Sequence, residues 1–257
     1  MTLKKLNSHG LAHYVAPLLV MVGVGLIGVY LIVAGHAATS NRLVDVSYPQ
    51  CKPKDLKTFG GDLGIVGVNH GKVMTKNPCF KKQALRFSRV AVYVNSGYNG
   101  ERASGPCKQK TGDCYAFNYG YKAGQYDIKY AVSRGGQALV SFGSWWIDVE
   151  PANTWSSDKG RNVQFLKGMM SALTDAGVGT VGFYSTPYFW GVATGGWINN
   201  HPAWVPTMAP RSTADDTALS KYCKQEFTGA RVWMVQYTDD LDSNVACFDG
   251  VRDKLVK

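Results

Sequence analysis

From residue 43 onward, short apolar runs alternate with polar loops and helical stretches. LVDVSY (43–48), LGIVGVN (63–69) and RVAVYVN (89–95) are compact and rich in β-branched residues, which predicts three strands. Gly97 to Cys114 is polar, glycine-rich and bounded by cysteine, which predicts a long loop. YDIKYAVSRG (126–135) predicts a helix that stops at glycine, and ALVSFGSWWIDVE (138–150) contains a fourth strand. In RNVQFLKGMMSALTDAG (161–177), apolar residues fall at 163, 165, 166, 169, 170 and 173, the spacing of a helix. VGTVGFYS (178–185) is a fifth strand, AWVP (203–206) and RVWMVQY (231–237) are further apolar stretches, and FDGVRDKLV closes with a helix.

Strands alternating with helices predict a parallel sheet with crossover helices. Five to eight such units between residues 43 and 257 favour a closed barrel over an open doubly wound sheet. No G-x-G-x-x-G follows the first strand, which removes the dinucleotide-binding form of the open sheet. The expected fold class is α/β: a TIM-type β/α barrel, irregular in its last strands, behind one N-terminal transmembrane helix.

That helix is expected over Ala16 to Ala34, 19 residues without a charge. Lys4 and Lys5 precede it and place the N-terminus in the cytoplasm. A cleaved signal peptide is the competing reading, because Gly35-His36-Ala37 can serve as a cleavage site. An uncleaved signal anchor is preferred, since the run is long for a signal peptide. The expected organisation is a stub and anchor over 1–37, a linker over 38–42 and the barrel over 43–257.

The cysteines agree with export. Cys51, Cys79, Cys107, Cys114, Cys223 and Cys247 all follow the apolar segment, and an even number in an oxidising compartment reads as three disulfides. Order along the chain suggests Cys51–Cys79, Cys107–Cys114 and Cys223–Cys247. No zinc-type spacing is present, and neither a metal nor another cofactor is expected. Taking Lys4 and Lys5 from the formal net charge of +10 leaves +8 beyond residue 40. That balance suits anionic surfaces such as lipid head groups or wall polymers, while the scatter of basic residues argues against nucleic acid. A monomer is expected.

Against this basic background, acidic residues gather where strands end. Asp45 lies near the end of the first strand, Asp148 and Glu150 end the fourth, and Asp239, Asp240 and Asp242 follow Gln236 and Tyr237. In a parallel barrel the chemistry sits at the C-terminal ends of the strands. Asp148 and Glu150, two apart on a strand, share a face, and like charges that close raise at least one pKa. Glycoside hydrolysis needs such a pair, one carboxyl protonated to donate to the leaving oxygen. Trp146, Trp155, Tyr188 and Trp190 offer faces for sugar rings, although core packing accounts for most tryptophans. His70 and His201 have no histidine nearby and read as polar loop residues.

LVDVSYPQ, SWWIDVE, VGFYSTPYFW and VWMVQYT, in that order, resemble the lysozyme-type glycoside hydrolases of family 25, and more closely the exported bacterial family-25-like domains. The resemblance implies a β/α barrel that cleaves peptidoglycan between N-acetylmuramic acid and N-acetylglucosamine. It implies Glu150 as general acid/base and Asp148 as the residue orienting the substrate's acetamido group. Asp45, in its D-V-S setting, and Asp242, with Asp240 as a rival, would support them. Tyr184, Trp146, Asn69, Asn95, Gln236 and Tyr237 are the substrate-binding candidates. The chain departs from the family pattern at GIVGVNHG and VYVNSGYNG, where Asn69, His70 and Asn95 stand at the rims, and in the inserted Cys107–Cys114 loop, expected to border the groove. Three functions remain: a cell-wall glycosidase, a glycan-binding barrel without catalysis, and a metal-dependent hydrolase built on Asp45, Asp148 and Glu150.

Overall fold

The apolar runs become barrel strands in the computed structural model, which describes residues 43–238 and 241–256. β1 (Leu43–Val46), β2 (Gly61–Gly67), β3 (Phe87–Asn95), β4 (Ser144–Asp148), β5 (Thr180–Tyr184), β6 (Ala203–Pro206), β7 (Val232–Tyr237) and β8 (Ser243–Ala246) close in chain order. Neighbours from β1 to β7 run parallel, whereas β8 is antiparallel to both β7 and β1. The helices are α1 (Phe80–Ala84), α2 (Gly112–Gly135), α3 (Ala138–Ser141), α4 (Lys159–Asp175), α5 (Pro187–Thr194), α6 (Asp216–Cys223) and α7 (Val251–Leu255). The expected irregularity of the last strands is therefore the reversed β8. Among the described residues no helix is long and apolar enough to cross a membrane. The apolar segment 16–34, the linker 38–42 and Asp239 and Asp240 lie outside those residues.

Strand alternation sorts the side chains into two cores. Val92, Val94, Trp145, Ile147, Val181, Phe183 and Val235 join the large core that packs against the helices. Leu63, Ile65, Ala91, Trp146, Trp204 and Met234 form a second cluster of inward-facing residues that plugs the barrel. Burying one such indole removes on the order of 200 Å² from water, worth roughly 5 kcal/mol of transfer free energy. The plug thus stabilises the barrel and keeps its lower interior dry.

α2 is far longer than the sequence pattern predicts. It begins inside the expected loop, with the Thr111 side chain accepting from Cys114 N as its N-cap. Gly112, Gly120 and Gly124 read as helix breakers, but here they serve close approach. A Cβ on Gly120 would lie 1.9 Å from Phe165 O of α4, and one on Gly168 would lie 2.0 Å from Phe117 O of α2. The two helices meet backbone to backbone, and that contact outweighs the glycine penalty. The stretch 138–141, expected to lead into the strand, is instead the short helix α3, whose Leu139 carbonyl accepts from Trp145 Nε1 at 2.9 Å. The disulfides pair Cys51–Cys79, Cys107–Cys114 and Cys223–Cys247, in the expected order.

Gly120→Ala and Gly168→Ala should each cost about 2 kcal/mol or more, because backbone atoms rather than pliable side chains must give way. Gly191→Ala in α5, where a Cβ meets nothing within 4 Å, should instead be neutral or stabilise by up to about 1 kcal/mol. Urea-unfolding midpoints of the three variants check this; equal midpoints would refute the backbone contact.

Candidate active site

The C-terminal ends of the strands surround a cavity of about 300 Å³. Register explains its composition. Asn95, Asp148, Tyr184 and Trp204 are successive Cα partners across β3, β4, β5 and β6, so all four face the barrel axis in one layer. On the far side Gln236 pairs with Asn244 across the antiparallel β7–β8 ladder. Glu150 lies two residues beyond Asp148, just past the strand end, and keeps the inward parity. The main chain holds it there, as Val149 N donates to Tyr184 O at 2.8 Å and Trp155 Nε1 donates to Glu150 O at 2.8 Å.

Asp45 is buried, and both of its oxygens are occupied by neutral amides. Gln236 Nε2 donates to Oδ1 at 2.9 Å and Asn244 Nδ2 to Oδ2 at 2.7 Å. The chain extends outward: Tyr184 Oη donates to Gln236 Oε1 at 2.6 Å, and Trp204 Nε1 to Asn244 Oδ1 at 2.8 Å. Asp148 is 3% exposed, so its charged form is strongly disfavoured. Its Oδ2 accepts from Asn95 Nδ2, whereas Oδ1 has no partner among the described residues. Asn69 in turn fixes Asn95, with Nδ2 donating to Asn95 O at 2.9 Å and Oδ1 accepting from Asn95 N at 3.0 Å.

All three inner carboxyls hold their protons more tightly than usual. Burial pushes Asp45 from 3.8 to about 7, with Asp242 adding to the rise and the two amide donors opposing it. Burial, then the Glu150 and Asp45 charges, raise Asp148 well above the usual range. Burial and Asp242 raise Glu150, which is only half-buried. Such neighbouring acids titrate as a set, so protons are shared among them. Burial likewise raises Tyr93 and Tyr184 and keeps both phenols neutral.

The cavity thus brings together Glu150, Asp148, Asp45, Asp242, Tyr184, Asn95 and Gln236. Three other sequence candidates are placed elsewhere. Trp146 is fully buried in the plug, 5.9 Å from the Trp204 ring centre, in space left by Gly182, where a Cβ would lie 2.4 Å from the indole. It offers no face to a ligand. Tyr237 has the opposite parity to Gln236 and points into the outer core. Asn69 is buried behind Asn95 rather than in the cavity wall. Trp190 is core, and Tyr188 is exposed but does not line the cavity. Neither cysteine of the Cys107–Cys114 loop lines it either; Cys107 N and O bond to Asn118 of α2.

Sequence reasoning missed Tyr48, Tyr93, Trp204 and Asn244. Tyr93 carried a signal, since it shares strand parity with Asn95. His70 is exposed and packs its ring 3.8 Å from that of Tyr48; His201 Nδ1 lies 2.9 Å from Val181 O, away from the site. Among the described residues no group of three or more His, Cys, Asp and Glu is arranged to hold a metal ion.

The family model of lysozyme-like protein 1 matches residues 74–222, more than half of the 257. The chain belongs to this family. It is a GH25-like lysozyme domain and, by family, a glycosidase. It is 25% identical over 162 residues to a probable GH family 25 lysozyme 4 of Dictyostelium discoideum, covering 59% of this chain and 74% of that one. The barrel is similar to a muramidase from Acremonium alcalophilum, with TM-score 0.52 and 16% identity over 83% of this chain and 96% of that one. A family GH25 lysozyme from Aspergillus fumigatus gives TM-score 0.52 and 13% identity over 83% and 97%. At such identities the structural likeness concerns the fold. The lysozyme-like match includes Asn95, Asp148, Glu150 and Tyr184 but stops short of Asp45, Gln236 and Asp242 at its two sides.

Raised carboxyl pKa values fix the sign of the pH dependence. Asp45 binds its proton more tightly folded, at about 7, than unfolded, near 3.8, so its stabilising contribution is complete below pH 4 and is lost as pH rises through 7. Asp148 and Glu150 add in the same direction. Asp62, held low by Arg89, has the opposite sign, but its window lies below 3.8. Urea midpoints followed by tryptophan fluorescence should therefore fall between pH 4.5 and about 7.5. A midpoint that rises over this range would contradict the buried-carboxyl arrangement.

Proposed function

We propose that the barrel hydrolyses the glycan strands of peptidoglycan as a muramidase-type glycosidase, with Glu150 as general acid/base and Asp148 assisting. The observation that carries this reading is the pair itself: two carboxyls of one strand end, both with raised pKa, facing a cavity walled by Tyr184, Trp204, Tyr48 and Tyr93. Glu150 is the more accessible of the two, so it can reach a glycosidic oxygen and exchange a proton with water. Asp148 is fixed by Asn95 on one oxygen, which leaves Oδ1 for a substituent of the sugar such as its acetamido group. The Asp242 charge adds to burial in raising Glu150 and so keeps its proton in place before the reaction, while Asp45, bonded to Gln236 and Asn244, supports the geometry of the site. Negative charge in the same cavity stabilises the positive character that develops on the sugar ring. Asn69 acts through Asn95, and Gln236 through Asp45 and Tyr184, as positioning residues.

The finer localisation belongs to the same proposal. Residues 16–34 anchor the chain in a membrane, residues 38–42 link it, and the barrel over 43–257 works outside the cytoplasm, where wall glycan lies. Three disulfides support an oxidising location.

Incubating the full chain with bacterial peptidoglycan and measuring new reducing ends tests the reading. The wild type should release them, and Glu150→Gln should lower the rate by about 10²–10⁴ while leaving the unfolding midpoint nearly unchanged. Undiminished release by Glu150→Gln would remove Glu150 from the role. Glycan binding without release by the wild type would instead make the barrel a binding module.

A further inference from the structure

Beside the central cavity lies a second compartment of about 240 Å³, and the two share Gly71, Ala152 and Asn153. The wall between them is continuous with the catalytic strand end. Asn153 N donates to Glu150 O at 3.2 Å, and Tyr98 N donates to Thr154 O at 2.8 Å, tying the loop after β3 to the loop after β4. The two compartments therefore adjoin along the loop that carries Glu150.

The lining of the two compartments differs. The central cavity has four aromatic side chains, suited to sugar rings, whereas the second has Tyr119 alone, itself buried. What the second one offers instead is a pair of opposite charges, Lys72 from the loop after β2 and Glu101 from the loop after β3. Both side chains are exposed, but Glu101 is held in place. Asn99 Nδ2 donates to its carboxylate at 3.2 Å and Glu101 N donates back to Asn99 Oδ1 at 3.3 Å. Burial and then the Glu101 charge raise the Tyr119 phenol beside it. These two loops follow the strand ends where the sequence departs from the family-25 pattern.

We propose that this compartment receives a short peptide branch borne by the glycan, a carboxylate of the branch pairing with Lys72 and an amino group with Glu101. The volume supports a branch, since sites for a whole ligand run to about 300–1,000 Å³. So does the chemistry, because a sugar chain carries no such pair of charges and a peptide carries both. The inference rests on the glycosidase reading for the glycan in the neighbouring cavity.

The test reads binding in the Glu150→Gln full chain, so that turnover does not enter. The probes are a disaccharide-peptide fragment of peptidoglycan and the same fragment after its peptide has been removed. The peptide-bearing fragment should bind roughly five- to tenfold tighter at low salt, as expected for two exposed charge pairs. Adding Lys72→Met or Glu101→Gln should each reduce that ratio by about threefold, and salt near 0.5 M should compress it towards one. Equal binding of the two fragments, or a ratio untouched by both substitutions, overturns the inference and leaves the glycosidase reading standing. Failure of both fragments to bind removes both.

Discussion

Asp45 sits buried at the mouth of the barrel with each oxygen accepting an N–H from a neutral amide, Gln236 on one side and Asn244 on the other. Much of the site follows from the difference between satisfying hydrogen bonds and compensating charge. Two amide donors remove the penalty of unpaired oxygens, yet they supply no positive charge, so ionisation in this setting stays unfavourable. The barrel must also deliver both donors to one point. The reversed β8 does so, because its antiparallel pairing with β7 sets Asn244 opposite Gln236, and its pairing with β1 brings both beside Asp45. A parallel eighth strand would need another crossover connection and would present a different register. The irregular closure is thus part of how the acidic mouth is assembled.

The dry plug beneath the mouth is the second half of the same arrangement. Trp146, Trp204 and Met234 exclude water from below, and Trp204 reaches both levels: its ring packs 4.6 Å from Tyr184, while its Nε1 bonds to Asn244. A residue of the core therefore orients the amide that orients Asp45. The interior that stabilises the fold is also the low-dielectric floor that raises the carboxyl pKa values, so packing and acid–base chemistry are not separable here.

Much of this was legible in the chain. The strand–helix alternation carries the barrel, and the acidic strand ends carry the location of the cavity. Parity would also have sorted the aromatics: if Asp148 faces inward then so does Trp146, one layer lower, and if Gln236 faces inward then Tyr237 faces out. Reading both members of Gln236–Tyr237 as rim residues ignored the two-residue period. Other features left no such trace. β8 is four residues beginning Ser-Asn, with no apolar run, because its inward positions serve hydrogen bonding rather than packing. α2 extends well ahead of Tyr126, where the predicted helix begins, through glycines whose place is set by contact with α4, a demand from a partner about fifty residues away.

The departures from the family-25 pattern at strands β2 and β3 converge on a single carboxyl. Asn69 holds both backbone groups of Asn95, and the Asn95 side chain holds Asp148 Oδ2. A neutral amide at that position orients Asp148 without biasing its charge, as a lysine or arginine would by favouring the carboxylate. Protonation of Asp148 is then governed by burial and by Glu150 and Asp45, the acids with which it shares the cavity. Any proton leaving Glu150 raises the cost of charging Asp148, and the reverse holds as well. The asparagine pair thus supplies geometry alone, and the acids are left to set one another's charge.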